Sequence, residues 1–435
     1  MRAHKKGARV VISGYYGFGN CGDEAVLFAA IHCLKELKPD IEITVLSNNP
    51  AETSELYGVN AVQRWSPLKV LSAILSCDML ISGGGSLLQD VTSAESLIYY
   101  SAVIQCAQFF GKKVFIYSQG IGPLLKKMTR HHVARVLGRC CEITVRDERS
   151  AKLLAEMGVK PPVTVTSDPV MALSRDSFKP TDIDTTLAAL EIPAANTGKT
   201  DRERPLLLAI IRPWAENSHI APVAHYLDTQ VIDGCDVLLV PAYYEQDNDI
   251  MTMIGKQMTQ RHHILTEPLT AHEFIALVAS ADCVLSMRLH GLICAMAMGV
   301  PMLALSYDPK VDAFMEQAGL EKLCYKYNEF NCEVAGSVNI TLNNLLESAN
   351  SLLRHGGTNA HETLPNSADS GDTPAADVSD RTIGTSNNSH QSGNLPYIPK
   401  QEKQENEAQR RKMHNQAWIA AKKVVENLEL LLNNH

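Results

Sequence analysis

Arg288, His290 and Lys310 are the residues of this sequence whose types and spacing best fit chemistry, and they fall within the run DCVLSMRLHGLICAMAMGVPMLALSYDPK. There the strand-like CVLSM ends in a turn carrying Arg288 and His290. A helical pattern begins near Gly291, so its free N–H groups point where those side chains point. After the next strand-like run, MLALSY, a second turn supplies Asp308 and Lys310. Two fixed cations, a titratable imidazole and a helix N-terminus suit a compact anion, with His290 as the group that moves a proton. A solitary histidine is more often structural, but the arginine beside it and the neighbouring cationic turn favour the catalytic reading. Arg212, at the end of LLLAIIRPW, and Tyr243, Tyr244 and Glu245, at the end of CDVLLVPAYYEQD, each either line the same pocket or simply make a turn.

Other strand-to-helix turns carry glycines and short polar side chains. SGYYGFGNCGDEAVL contains a GxGxxG at Gly17, Gly19 and Gly22, followed by Asp23 and Glu24. A dinucleotide site would also want an acidic residue ending the second strand, where IEITVLSNNP offers Ser47, Asn48 and Asn49. What remains is a loop that lets a ligand approach, with Asn20 and Asp23 either binding it or capping the helix. ISGGGSLLQD places Gly83, Gly84 and Gly85 after a strand, with Ser86 and Asp90 expected to open a helix; YSQGIGPL adds Gln119, Gly120 and Gly122. In VRDERS, Arg146 follows a strand and could face a cleft, whereas Arg149 is expected to pair with Asp147 or Glu148. Three glycines together suit close approach of a sugar or phosphate, and Asn20, Asp23, Gly84, Ser86, Asp90 and Arg146 are the candidates for binding an acceptor substrate.

The elements that must position these residues alternate short apolar runs with helical patterns, twice. From Arg9 to about Val170, and again from PLLLAII to VPMLALSY, the spacing predicts parallel sheets covered on both faces. The predicted fold class is α/β, with two Rossmann-like domains facing across a cleft: residues 1–175, a linker over 176–204, and residues 205–353. Residues 354–409 are rich in Gly, Ser, Asn, Asp and Pro and are read as a disordered insertion, because such a segment cannot bury enough apolar area to offset its chain entropy. Residues 410–435 are expected to form a docking helix with an apolar stripe of Trp418, Ile419, Val424, Val425, Leu428 and Leu431.

Composition narrows the function classes. The 435 residues carry a formal net charge of -8, which argues against nucleic acid as a partner and requires any anion site to bring its own cations. Eleven cysteines lie mostly in apolar stretches and never as CxxC, the pattern of reduced buried thiols, and no metal site is expected. With no apolar run of 18 residues and no signal-peptide pattern, the expected location is the cytosol. LLKKMTRHHVARVLGR (residues 124–139) reads as a solvated basic face, or more sharply as a contact with acidic lipid at the inner membrane surface.

Taken together, GYYGFGNCGDEAVL, GGGSLLQD, SQGIGP, VRDERS and SMRLHGLICAMAMGVPMLALSYDPK resemble the polysaccharide pyruvyltransferase family, in particular its bacterial cell-wall branch. The resemblance runs from Val10 to about Leu320, in order through both halves; residues 354–409 depart from the family's compact pattern. It implies a fold like that of the two-domain GT-B glycosyltransferases. It also implies transfer of the enolpyruvyl unit of phosphoenolpyruvate to a sugar as a cyclic ketal, with phosphate released. In the cell-wall branch the implied acceptor is a lipid-linked N-acetylmannosamine/N-acetylglucosamine disaccharide, on the way to the pyruvylated polymer that anchors surface-layer proteins. On this reading Arg288, Lys310, Arg212 and Gly291 bind the donor and His290 is the general acid, with no cofactor beyond phosphoenolpyruvate as substrate. The competing readings are a nucleotide-sugar glycosyltransferase of the same architecture and a non-catalytic glycan- or anion-binding module; a dehydrogenase ranks last.

Overall fold

The fold is seen in a computed structural model that describes residues 7–91, 94–178, 183–193, 204–330 and 400–433. Its central strands are apolar runs buried on both faces, as parallel strands under two helical layers must be, while the strands at the sheet edges are half-buried. The first eight are β1 (Arg9–Ser13), β2 (Glu42–Ser47), β3 (Asn60–Gln63), β4 (Met79–Ser82), β5 (Gly85–Leu88), β6 (Lys113–Ile121), β7 (Glu142–Val145) and β8 (Val163–Val165). They form one parallel sheet in the order β3-β2-β1-β4-β6-β7-β8, with the short β5 paired to the far end of β6. The other six are β9 (Leu206–Ile210), β10 (Asp236–Leu239), β11 (His263–Ile264), β12 (Cys283–Ser286), β13 (Met302–Ser306) and β14 (Cys324–Lys326). Their sheet is also parallel, in the order β11-β10-β9-β12-β13-β14.

Each sheet therefore has one place where the chain, having wound outward to one side, returns and winds to the other. It lies between β1 and β4 in the first half and between β9 and β12 in the second, and ligands collect at the carboxyl ends of strands at such points. The two halves meet there: Asn20 forms an antiparallel bridge with Tyr243, and the Cys21 N–H donates to the Ala242 carbonyl at 3.0 Å.

The last helix spans Lys400–Asn433, starting ten residues before the expected Arg410. Its buried stripe is Met413, Ala417, Ala420, Ala421, Val424 and Leu428, while Trp418, Val425 and Leu431 flank it half-buried. Small alanines in the middle of the stripe let the helix lie close against the turn Pro169–Ala172 and the helix Cys21–Leu37 of the first half. It also reaches the second half, where Arg410 donates to the Ala297 carbonyl at 3.2 Å. The expected linker contains a helix, Asp184–Ala189, held by buried Leu187. The low-complexity stretch read as an insertion lies outside the described residues as far as 399, and its last ten residues belong to the final helix.

Candidate active site

Both winding reversals open into one cavity of about 360 Å³. Its first-half wall includes Tyr15, Asn20, Asp23, Ser86, Tyr100 and Arg146, and its second-half wall Arg212, Arg288, His290, Gly291, Tyr307 and Lys310. Helix Leu289–Met298 places His290 in its first turn, with Arg288 at the N-cap. Helix Pro309–Ala318 places Lys310 likewise, and Asp308 caps it by accepting from the Lys310 N–H at 2.9 Å.

His290 crosses the gap. Its Nε2 lies 3.7 Å from Asp168 Oδ2, a distance at which the two act on each other as charges and not as a hydrogen-bonded pair, and Nε2 has no hydrogen-bond partner among the described residues. Its Nδ1 packs against Gly22, where a Cβ would stand 2.3 Å from that nitrogen. The third glycine of the GxGxxG thus leaves room for a histidine from the opposite half. Asp168 is buried and also pairs with Arg146, at 3.2 Å from Nη1. Burial alone would raise the Asp168 carboxyl, but the charges of His290 and Arg146 and the Val170 N–H hold it below the usual carboxylate range.

Arg146, only 8% exposed, donates from Nη2 to Ser86 Oγ at 2.9 Å. A Cβ on Gly120 would come within 2.9 Å of this guanidinium, so that glycine makes its room. Arg288 is anchored from behind by the buried Asp247, which accepts from Nε at 3.0 Å and also pairs with Nη2. Arg212 has aromatic support: it donates to Tyr307 OH at 2.9 Å, and its guanidinium lies over the Trp214 and Tyr307 rings. The Lys310 side chain is 40% exposed, with its Nζ 3.5 Å from Asp308. Asp23 faces these groups with its Oδ2 accepting from Asn20 Nδ2 at 2.7 Å. Burial pushes the Asp23 carboxyl up, against the pull of His290, Lys310 and Arg146.

This geometry brings a histidine and four cations around one small space, and sequence comparison identifies the family of the chain. A model of the family described as polysaccharide pyruvyl transferase matches residues 20–309, two-thirds of the chain. The chain belongs to that family. The amylovoran biosynthesis protein AmsJ of Erwinia amylovora is 20% identical over 399 residues, covering 78% of this chain and 92% of AmsJ. Among solved structures, the UDP-GlcNAc 2-epimerase of Methanocaldococcus jannaschii aligns with a TM-score of 0.53 at 15% identity, over 77% of this chain and 92% of its own. The MnaA–UDP structure from S. aureus aligns at 0.51 and 12% identity, over 80% and 88%. These likenesses show the fold alone, a GT-B-like pair of facing α/β halves.

Not every expected residue of this pyruvyl transferase reaches the cavity. Ser86 does, but from β5, since the helix expected there begins only at Ala94. The Asp90 carboxylate instead accepts from the N–H groups of Leu125 and Lys126 at 2.8 and 3.0 Å, tying down the loop after β6. Gly84 packs under the transferase site against Val26 and Pro169. Arg149 pairs with Glu316 of the second half at 3.1 Å, and not with Asp147 or Glu148. Gly291 lines the cavity and also seats its helix, since a Cβ there would meet Ser286 Oγ at 2.5 Å. Four contributors escape a turn-by-turn reading of the sequence: Asp168, Asp247, Tyr307 and Arg64. Arg64 is buried among the rings of Phe18, Trp65, Tyr99 and Tyr100 and donates to Tyr100 OH at 3.2 Å, bracing the cavity wall. The signal for Asp168 was the strand-end run TSDP, whose Asp caps the following turn by accepting from the Val170 N–H. Among the described residues, no group of three or more His, Cys, Asp and Glu side chains is arranged to hold a metal ion.

Proposed function

We propose that the protein transfers the enolpyruvyl unit of phosphoenolpyruvate to a sugar, forming a cyclic pyruvate ketal and releasing phosphate, and that the acceptor is a lipid-linked N-acetylmannosamine/N-acetylglucosamine cell-wall precursor met at the cytoplasmic side. The observation that carries this reading is the convergence of His290 with Arg146, Arg212, Arg288 and Lys310 on one cavity. Phosphoenolpyruvate carries roughly three negative charges in a very small volume, and a water-poor site binds it only with several fixed cations at hand. Arg288, Lys310 and Arg212 take its phosphate and carboxylate, beside the free N–H groups of helix Leu289–Met298.

His290 delivers its proton to the methylene carbon, turning it into a methyl group and leaving an oxocarbenium-like centre. The Asp168 carboxylate, 3.7 Å away, orients the ring and balances the charge of its protonated form. One sugar hydroxyl attacks the centre; phosphate leaves; a second hydroxyl of the same sugar closes the ketal. Of the two hydroxyl protons, one restores His290 and the other leaves with phosphate. Asp23, whose carboxyl is raised and faces the cavity, receives a hydroxyl proton in passing. Asn20, Ser86 and Arg146 hold the acceptor from the first-half side.

The test is incubation of the purified protein with phosphoenolpyruvate and a short lipid-linked or analogue disaccharide, followed by mass spectrometry of the glycan and a phosphate assay. A ketal-sized mass gain with matching phosphate is expected. Nucleotide release from a nucleotide sugar, or no product with any donor, would replace the reading with a glycosyltransferase or a binding module.

A further inference from the structure

The first half carries a surface that the cavity does not use. Of the fourteen large apolar side chains left exposed among the described residues, nine lie between Trp65 and Met128. Leu68, Ile98, Phe109, Leu125 and Met128 are 64–86% exposed. They sit on helix Pro67–Ser76, helix Ala94–Phe109 and the segment entering helix Lys127–Leu137, three elements packed side by side over one face of the first sheet. Their inner faces fill a common core with Val70, Ile74, Val103, Ile104, Val133 and Val136, so the outward apolar residues are surplus to folding.

Charge on this layer runs against the rest of the molecule. Residues 65–139 hold eight Lys and Arg against three Asp and Glu, in a chain whose net charge is -8. Lys126, Lys127 and Arg130 are exposed around Leu125 and Met128, and residues 124–139 contain no acid. Asp90, the acid tied to this segment, already accepts from two of its backbone N–H groups. A protein–protein interface core is depleted in lysine, whereas apolar side chains interleaved with lysine and arginine suit a surface of acyl chains under acidic head groups.

We infer that the layer of helices Pro67–Ser76, Ala94–Phe109 and Lys127–Leu137 seats the protein on an anionic lipid bilayer. Leu125, Met128 and their neighbours enter the head-group boundary while Lys126, Lys127 and Arg130 neutralise acidic lipid. Trp65, Leu68, Val91 and Leu125 follow strands β3, β5 and β6 at the carboxyl edge of the sheet, the edge on which the cavity opens. On the pyruvyl-transfer reading, that brings the site to an acceptor held in the membrane; the docking itself stands without that reading and is measured without turnover.

The experiment is sedimentation of the full chain with vesicles of phosphatidylcholine alone and of phosphatidylcholine with phosphatidylglycerol, at low and at high salt. Binding to the anionic vesicles, weakened by salt, is expected. The triple variant Lys126→Glu, Lys127→Glu, Arg130→Glu should lose about a hundredfold in partitioning, and Leu125→Ser with Met128→Ser should also release the protein. These are exposed positions, and an unchanged melting temperature verifies that each variant is folded. Absence of binding to anionic vesicles, equal binding to neutral ones, full retention by the charge-reversed variant, or a dimer in light scattering that these substitutions break would each overturn the assignment.

Discussion

The two walls of the cleft hold their charges differently. On the second-half wall each cation has backing from its own half: Arg288 rests on Asp247, Lys310 on Asp308, and Arg212 on the Tyr307 hydroxyl. On the first-half wall the pair Arg146–Asp168 is buried, and Asp168, which also accepts from the Val170 N–H, meets a further charge in His290 from across the gap. One wall is assembled within its domain, and the other depends on docking. On the proposed reaction, donor binding would survive a disturbance of the seam between the halves, while proton transfer from His290 would not.

The strongest way to break that contrast is at Gly22. Alanine there is a better helix former, but its Cβ would stand 2.3 Å from His290 Nδ1, so the ring must move. Gly22→Ala is expected to cut turnover about a thousandfold, the scale of a lost general acid, and to match His290→Gln in doing so. Donor affinity, read by protein fluorescence or calorimetry, should stay within about threefold, because Arg288, Arg212 and Lys310 are untouched. A Gly22→Ala enzyme with near-normal turnover would mean that His290 need not sit where it does.

Asp168→Asn removes the carboxylate shared by Arg146 and His290 while keeping its shape. Leaving a buried guanidinium without its main partner should destabilise the fold by about 3 kcal/mol in urea denaturation near neutral pH. The sign of the pH dependence follows from the lowered carboxyl. Its stabilisation is fully present above the ordinary aspartate range and is lost as pH falls through the folded-state value, so the variant and the parent should converge in acid.

How legible this site was differs between the walls in the same way. Arg288, His290 and Lys310 stand at strand ends in the sequence, and a strand end followed by a helix fixes where its side chains point. The alternation of elements likewise made both parallel sheets readable, because fully buried strands must be continuous apolar runs. The meeting of Asp168 and Gly22 with His290 was not readable, since it depends on how the two halves meet. Nor was Asp90: β5 took residues expected at a helix start, which displaced the helix to Ala94 and left Asp90 to cap the loop after β6. The early start of the final helix was not readable because its polar first turns, from Lys400, carry no apolar signal of their own.

Glu24 sharpens the contrast from behind the first wall. It is buried, accepts from the Gly17 N–H at 2.6 Å and from Tyr57 OH at 2.9 Å, and burial outweighs both to push its carboxyl up to about 7. A raised carboxyl stabilises the folded state fully below the unfolded value, near pH 4.5, and that contribution is lost as pH rises through about 7. Glu24→Gln should therefore gain stability over the parent as pH rises from 5 to 8, by roughly 2–3 kcal/mol. Equal pH profiles for the two proteins in thermal melts would show that this wall holds no such proton.

Lys310 gives the smallest effect and the sharpest separation of the walls. Its side chain is 40% exposed, and its partner Asp308 keeps capping the helix through the Lys310 backbone N–H. Lys310→Ala should thus leave the melting temperature within a degree or two of the parent. A half-exposed cation contributes about 1 kcal/mol to an anionic ligand, so the donor KM should rise about fivefold and less so at high salt, where screening already weakens the contact. Turnover at saturating donor should be nearly unchanged, since the lysine holds the bound anion without moving a proton. A fall in kcat as large as that of Gly22→Ala would erase the difference between the walls and put the lysine in the proton-transfer step itself.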